Sequence, residues 1–201
     1  FARVDVLLSE AAIDRRAPPD RGNRDYLLPH PLEQLLLVPA FAVRGTVLFH
    51  ACGAVIANQG FVFAGHSGEG KTTLGGVLES EGTPLLSDER VAVRRAGGGF
   101  LVFGTPWPGE GNAVSNGAHP LGGMFVLKKA TRHALGPSCL RLAPDLIARA
   151  IVPYYLKDVA ESILDTFSAL ASAVPFRELY FARAPGLKAL LQEIGSPCVP
   201  A

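Results

Sequence analysis

The chain lacks the features that mark several whole classes of protein. No apolar run approaches the roughly 20 residues needed to cross a bilayer as a helix, and no basic-then-apolar leader opens the sequence. Neither a membrane partner nor a secretion signal is expected. Cysteine is scarce: Cys52, Cys139 and Cys198 are odd in number and far apart, which points away from a disulfide framework and from a C-x-x-C metal or redox site. A reducing, cytoplasmic setting follows as the default. An excess of charge of one sign is missing too. With 19 Lys and Arg against 18 Asp and Glu, a formal net charge of +1 and no dense basic run, nothing resembles the electrostatic footprint of a nucleic-acid binder. His30, His119 and His133 show no metal-ligand spacing. There is no internal repeat and no low-complexity tract. Methionine occurs once, at Met124, and the chain opens at Phe1, so it reads as part of a longer protein.

What is present suffices for one domain of generous size, 201 residues of which 48% are hydrophobic. The most specific stretch is FVFAGHSGEGKTTL, residues 61–74. Gly65, Gly70, Lys71 and Thr72 fill every fixed position of the phosphate-loop pattern G-x-x-x-x-G-K-[ST], with Gly68 as an additional small residue. Glycines let backbone N–H groups turn inward around phosphate oxygens, and the helix that follows offers its positive N-terminal end. Lys71 would reach the outer phosphates and Thr72 would carry its hydroxyl to Mg²⁺. The context has the required order. Phe61–Ala64 reads as a short buried strand, and KTTLGGVLESEG has helical spacing, with Leu74 and Leu78 on one side, until Gly82 ends it. The bland alternative is a glycine turn with an incidental lysine.

Elsewhere, Val4–Leu8 alternates weakly as a strand, and DRRAPPDRGNRD is a charged, proline-containing loop expected to be poorly ordered. Residues 1–30 therefore read as an N-terminal segment, partly mobile, the tail of a missing N-terminal part, and 31–201 as the domain proper. Leu32–Arg44 has helical character, with Pro39 expected to kink or interrupt it. Three short apolar runs follow, Val47–His50, Ala54–Ala57 and Phe61–Ala64. Their connections are too short for helical crossovers, so the glycine loop should end an antiparallel meander rather than a parallel sheet. PLLSDERVAVRR gives a strand ending near Asp88 and another from Val91, and AGGG turns back into FLVFG as a hairpin. Residues 105–123 are rich in Pro, Gly and Asn and form a long loop of the kind that often serves as a lid. MFVLKK reads as a strand, RHALGPSCLRL as a hairpin, Pro144–Ala173 as helix broken at Pro153, FRELYFA as a last strand and PGLKALLQEIG as a last helix.

Two further features carry chemistry. Asp88 and Glu89 end an apolar strand shortly after the glycine loop, where a carboxylate can hold Mg²⁺ or take the proton of an attacking hydroxyl. Acidic residues in turns are more often just solvated. His50, in LFHACG, ends the strand two before the loop, and two intervening strands could return the chain to the same end of the sheet. A lone histidine among apolar residues is more often structural. Trp107 could stack on a base or close over the site, or simply anchor its loop in the core. Lys128, Lys129 and Arg132 could clamp a phosphate, although basic residues at a strand end are usually solvated. Ile147 and Ile151 read as core.

HACGAVI, FAGHSGEGKTT, LLSDERVAV and FGTPWPGE, taken together, resemble the catalytic domain of HPr serine kinase/phosphorylase, and more closely a branch of HPr-kinase-like proteins of unassigned substrate. The resemblance covers about Pro31 to Ile194. It implies an α/β fold of mixed, largely antiparallel sheets with flanking helices, the phosphoenolpyruvate-carboxykinase type of P-loop domain. It implies an Mg-ATP-dependent kinase that moves the γ-phosphoryl group to a hydroxyl of a protein, a peptide or a small molecule, and a homo-oligomer. Residue by residue, Gly65, His66, Ser67, Gly68, Glu69, Gly70, Lys71, Thr72 and Thr73 would cradle ATP, with Lys71 on the transferred group. Thr72, Asp88 and Glu89 would serve Mg²⁺, Asp88 would be the base, and His50 would tune Asp88 or touch the γ-phosphate. Glu110 is a further metal-side acid by the same resemblance. The chain departs from the family where Glu89 replaces a second aspartate and His66 an acid, and RRAGGGFLVFGTPWPGEG lacks the second family signature, so HPr itself is not the expected acceptor. Two rivals remain: an ATP-dependent carboxykinase-like enzyme, since SGEGKTTL resembles that loop too, and a non-catalytic nucleotide-binding regulatory module.

Overall fold

The computed structural model describes residues 32–66 and 68–195. The readings for residues 1–30, and for Ser67 and Cys198, fall outside them. Leu32–Ala42 forms helix α1. Pro39 lies within it without ending it, because the backbone bond that a proline cannot donate would have gone to Leu35, an exposed residue. The helix closes with the Val43 and Arg44 N–H groups bonded to the Pro39 and Phe41 carbonyls.

Strand β1, Thr46–Ile56, corrects the sequence reading. Val47–His50 and Ala54–Ala57 were expected as separate strands, but the chain runs straight through Ala51, Cys52 and Gly53. Small residues look like a turn in sequence; here they are small because the strand is crowded. A β-carbon on Gly53 would stand 2.6 Å from Val91 Cγ1. Ala57 and Asn58, both at positive φ (50° and 63°), then make the tight turn whose twist suits a two-residue hairpin, and β2, Gln59–Ala64, returns alongside β1.

The remaining elements are α2 (Lys71–Ser80), β3 (Leu85–Ser87), β4 (Arg90–Ala96), β5 (Gly99–Gly104), β6 (Ala118–Lys129), β7 (Ala134–Leu135), a 3₁₀ turn at Leu140–Leu142, α3 (Ala143–Ile147), α4 (Lys157–Ala173), β8 (Phe176–Phe181) and α5 (Leu187–Gly195). β6 begins well before the expected MFVLKK. Its first half contains Pro120, Gly122 and Gly123, which hide a strand from propensity, yet Gly122 is required where the Phe61 ring would meet a β-carbon at 2.7 Å. RHALGPSCLRL does not fold on itself: Ala134–Leu135 pairs with β8 instead.

The sheet is mixed and mostly antiparallel. β1 pairs antiparallel with β2, β3 and β4, β4 with β5, β5 with β6, and β7 with β8, while β6 runs parallel to both β2 and β8. The pairings β1–β2–β6–β5–β4–β1 close on themselves. Strand alternation divides the core. Phe61, Phe63, Phe125, Leu127 and Leu179 pack with Leu74 and Leu78 of α2 and Leu187 and Leu191 of α5. The intervening Val62, Ala64, Met124 and Val126 join the other side, with Val38 and Ala42 of α1 and Ile163, Phe167 and Leu170 of α4. Ile147 and Ile151 pack against this second cluster, as their spacing indicated. Among the described residues no helix is long and apolar enough to cross a membrane.

Gly104 ends β5 where two backbones meet: a β-carbon there would lie 2.1 Å from the Ser115 carbonyl oxygen and 2.5 Å from that of Leu86. Neither is a flexible side chain. Gly104→Ala is expected to destabilise the fold by about 3 kcal/mol or more, at the upper end of overpacking effects, measured by urea unfolding.

Candidate functional site

The site follows from the register of β1. On one edge, Ala51–Ile56 pairs with β2, with Ala51 opposite Ala64, the last residue before the glycine loop. Below that point the same edge is taken by residues 149–151: the His50 N–H donates to the Arg149 carbonyl (2.8 Å) and the Ile151 N–H to the Leu48 carbonyl (2.8 Å). On the other edge β3 reaches Gly53 and Ala54, while β4 pairs Arg90 with His50. Both edges change partner at residues 50–53. The glycine loop, the Asp88–Glu89 turn and Arg149 therefore diverge from one place.

The expected strand, loop and helix occur in order. Gly68 and Gly70 take positive φ (80° and 101°), a backbone region that glycine enters without strain. Gly70 has a second reason to be glycine, since a β-carbon would stand 2.7 Å from the Phe181 ring. It caps α2 without a side-chain acceptor, so the first N–H groups of that helix have no side-chain cap. Lys71 is only 9% exposed, and its Nζ donates to the Gly65 carbonyl at 3.0 Å and the His66 carbonyl at 3.4 Å. Burial pulls its ammonium below the ordinary value; the charge of Glu89 pulls it back up, Arg149 lowers it, and Glu69 raises it. The Glu69 carboxylate folds over the loop and accepts from the His66 N–H. An internal anion thus already engages the loop backbone. Thr72 and His66 are exposed and Thr73 half-buried.

His50 and Glu89 meet directly, with Nδ1 3.1 Å from Oε1, and Arg90 adds a guanidinium nitrogen at 3.7 Å. The imidazole bond, ahead of the charges of His50, Arg90 and Lys71, holds the Glu89 carboxyl below its ordinary value against the opposing effect of burial. His50 reaches this place from the strand adjacent to the loop, a shorter route than the sequence implied. Asp88 stands differently. It is buried, and both carboxylate oxygens are engaged by the long loop: Oδ1 accepts from the Gly109 N–H at 2.8 Å and Oδ2 from the Gly111 N–H at 2.6 Å. β-carbons at Gly109 and Gly111 would lie 2.9 and 2.8 Å from Oδ2, so glycine permits this approach. Glu110, between them, is exposed.

Three residues beyond the sequence reading matter. Ser87 shapes the acidic turn, its Oγ accepting from the N–H groups of Glu89 (3.2 Å) and Arg90 (3.1 Å). Thr105 Oγ1 donates to the Arg90 carbonyl at 2.7 Å and fixes the start of the long loop. Arg149 presents its charge to Lys71, and its buried Nε has no hydrogen-bond partner. Ser87 and Thr105 lie within LLSDERVAV and FGTPWPGE but carry no chemistry of their own there, and Arg149 lies in no motif; Thr105 and Arg149 gain their places from contacts distant in sequence. Trp107 takes the anchoring alternative: it is 4% exposed and sits in the larger core cluster. Lys128 lies 4.0 Å from Glu178, while Lys129 and Arg132 are exposed. Cys52 and Cys139 are free, and burial pushes the Cys52 thiol up to about 12, which makes it unreactive.

No group of three or more His, Cys, Asp or Glu suited to a metal ion occurs among the described residues. The donors near the glycine loop are the Thr72 hydroxyl and the Glu69 and Glu89 carboxylates, Glu69 being engaged by the His66 N–H, with Asp88 added if its amide partners let go. This is too few for a dedicated protein cage. It suits Mg²⁺, which takes most of its ligands from phosphates and water.

Asp88→Ala should strand two N–H groups and destabilise the protein by about 2–4 kcal/mol, with the 105–117 loop becoming susceptible to protease. Glu89 gives a pH test. Its folded carboxyl lies below its ordinary 4.5, so the stabilisation is complete above that value and is lost as pH falls through the folded one. Glu89→Gln should therefore be less stable than the wild type at neutral pH and converge with it as pH falls through the folded value, measured by urea unfolding across that pH range.

Comparison with families of known proteins finds no match, and no curated protein matches the sequence. Among solved structures, one that matches is the Hpr(Ser) kinase/phosphatase from Coxiella burnetii, at 14% identity and a TM-score of 0.42, covering 74% of this chain and 87% of that one. A likeness at this level carries no argument about activity, which rests on the residues themselves.

Proposed function

We propose that the chain is an Mg-ATP-dependent phosphotransferase of the HPr-kinase-like P-loop type, with residues 31–201 as its kinase domain, acting on a hydroxyl of a protein, peptide or small molecule. One observation carries the reading. A buried lysine, held by the carbonyls of its own glycine loop, feels the charge of a carboxylate that a histidine hydrogen-bonds from the neighbouring strand. This is a cationic phosphate cradle beside an acid–imidazole pair.

In this reading the glycine loop and the first N–H groups of α2 receive the β- and γ-phosphates, displacing the Glu69 carboxylate from the His66 N–H. Lys71 swings from the Gly65 and His66 carbonyls to the transferred group, and Arg149 adds a second positive charge. A cleft of about 450 Å³ beside α2, lined by Thr72, Thr73 and Gly76 on one side and Arg183–Pro185 on the other, takes the nucleoside. Bound Mg²⁺ would neutralise phosphate charge, with Thr72 and the acidic turn as its protein ligands. The acceptor hydroxyl gives its proton to a carboxylate of the acidic turn. Its oxygen bonds to the γ-phosphorus as the bond to the bridging oxygen breaks, and ADP leaves. Glu89 has an open side for this proton, whereas Asp88 becomes available when Gly109 and Gly111 release it. His50 fixes the orientation of Glu89.

The engagement of both Asp88 oxygens favours one other reading, a nucleotide-binding module in which the acidic turn only holds its loop. Transfer from γ-labelled ATP with Mg²⁺ in an extract of the source organism separates the two. Labelling of one protein, peptide or small-molecule fraction is expected, reduced at least about 100-fold by Lys71→Ala, the scale of losing a transition-state charge contact. ATP binding without labelling would favour the module.

A further inference from the structure

The cleft beside Thr72 and Thr73 has one wall made by a helix and one by an irregular turn. The helix wall is the first turns of α2. The other, Arg183–Pro185, follows the end of β8 and belongs to no helix or strand, so its position depends on what holds it. Two side chains from distant parts of the chain do so. His133, just before β7, has its Nε2 2.9 Å from the Ala184 carbonyl oxygen, and its Nδ1 accepts from the Ala182 N–H at 3.4 Å. A ring that accepts at Nδ1 donates from Nε2, so the imidazole clips both sides of Arg183 at once. At the far end of the same turn, Glu81, immediately after α2, accepts from the N–H groups of Gly186, Leu187 (3.2 Å) and Lys188 (2.6 Å). Glu81 thereby ties the turn to the helix that forms the opposite wall. The near end abuts the glycine loop, where Phe181 faces Gly70.

We propose that His133 is a positioning residue for the nucleotide: its two hydrogen bonds set the Arg183–Pro185 wall at the width that accepts the nucleoside half. The inference rests on the ATP reading and goes beyond it, because His133 touches no phosphate and belongs to no motif. The wall it holds is preformed, and a preformed wall spares the ligand the cost of ordering it. Arg183 is exposed and carries a guanidinium at the rim of the cleft, so a displaced turn removes a cation as well as a surface.

The test compares two ligands by titration calorimetry at one pH in the presence of Mg²⁺: ATP, which needs both halves of the site, and tripolyphosphate, which needs the glycine loop alone. His133→Ala should weaken ATP about 10-fold, the scale of losing preorganisation in one loop, and leave tripolyphosphate within about 2-fold. His133→Gln keeps a donor toward the Ala184 carbonyl and should recover part of the loss, by about 3-fold; if the alanine variant does not fold, this variant against wild type still reads the lost Nδ1 acceptor. Unchanged ATP affinity in both variants would overturn the proposal. Equal loss of both ligands would overturn it too, by making His133 a residue of the general fold. Wild-type protein that binds neither ligand, or tripolyphosphate alone, would overturn the ATP reading on which the proposal stands.

Discussion

Everything at the site depends on the partner exchange along β1. An eleven-residue strand with the same neighbours throughout would have been sealed on both edges. Here β2 gives way to residues 149–151 on one edge, and β3 to β4 on the other, around residues 50–53. Adjacent strands lie about 4.8 Å apart, so two chains leaving opposite edges of one strand remain within side-chain reach of it and of each other. His50 sits at this exchange and bonds across one of its edges to Glu89. The tight turn at Ala57–Asn58 locks the β1–β2 register, and a one-residue slip would send the His50 side chain to the other face.

The crowding around the exchange explains why glycine and alanine are so frequent there. Gly53 meets Val91, Gly104 meets two carbonyl groups, and Gly109 and Gly111 meet the Asp88 carboxylate. These contacts join the long loop to the acidic turn, and Ser87, Thr105 and buried Trp107 complete the attachment. The loop is therefore fastened at the chemistry. Its tip leaves Glu110 in solvent, while its backbone satisfies the least exposed carboxylate of the site. Any release of Asp88 must break two hydrogen bonds to a charged acceptor, interactions stronger than the usual amide pair.

Local signals were legible where physics is local. Glycine spacing marked the loop, helical spacing marked α2, α4 and α5, and the AGGG turn marked the β4–β5 hairpin. They failed where a residue is chosen for a distant neighbour. Ala51–Gly53 looked like a turn and is strand; Pro120–Gly123 looked like loop and is strand; Ala134–Leu135 looked like half of a local hairpin and pairs with β8. Arg149 and His133 carried no signal at all, because an arginine in a helical stretch and a histidine in a turn acquire meaning only from what packs against them.

The sequence by itself determined the chemical inventory: a glycine loop ending in Lys71 and Thr72, an acidic pair at a strand end, a histidine in an apolar strand and a near-neutral chain without a long apolar run. Short-range sterics and hydrogen bonding suffice to read these. Tertiary structure alone decided how the inventory is wired. It bonded His50 to Glu89 rather than Asp88, closed the amides of Gly109 and Gly111 over Asp88, and brought Arg149 toward Lys71. The reason is register: which carboxylate faces which strand depends on pairings between segments tens of residues apart, and those are fixed by the packing of the whole sheet.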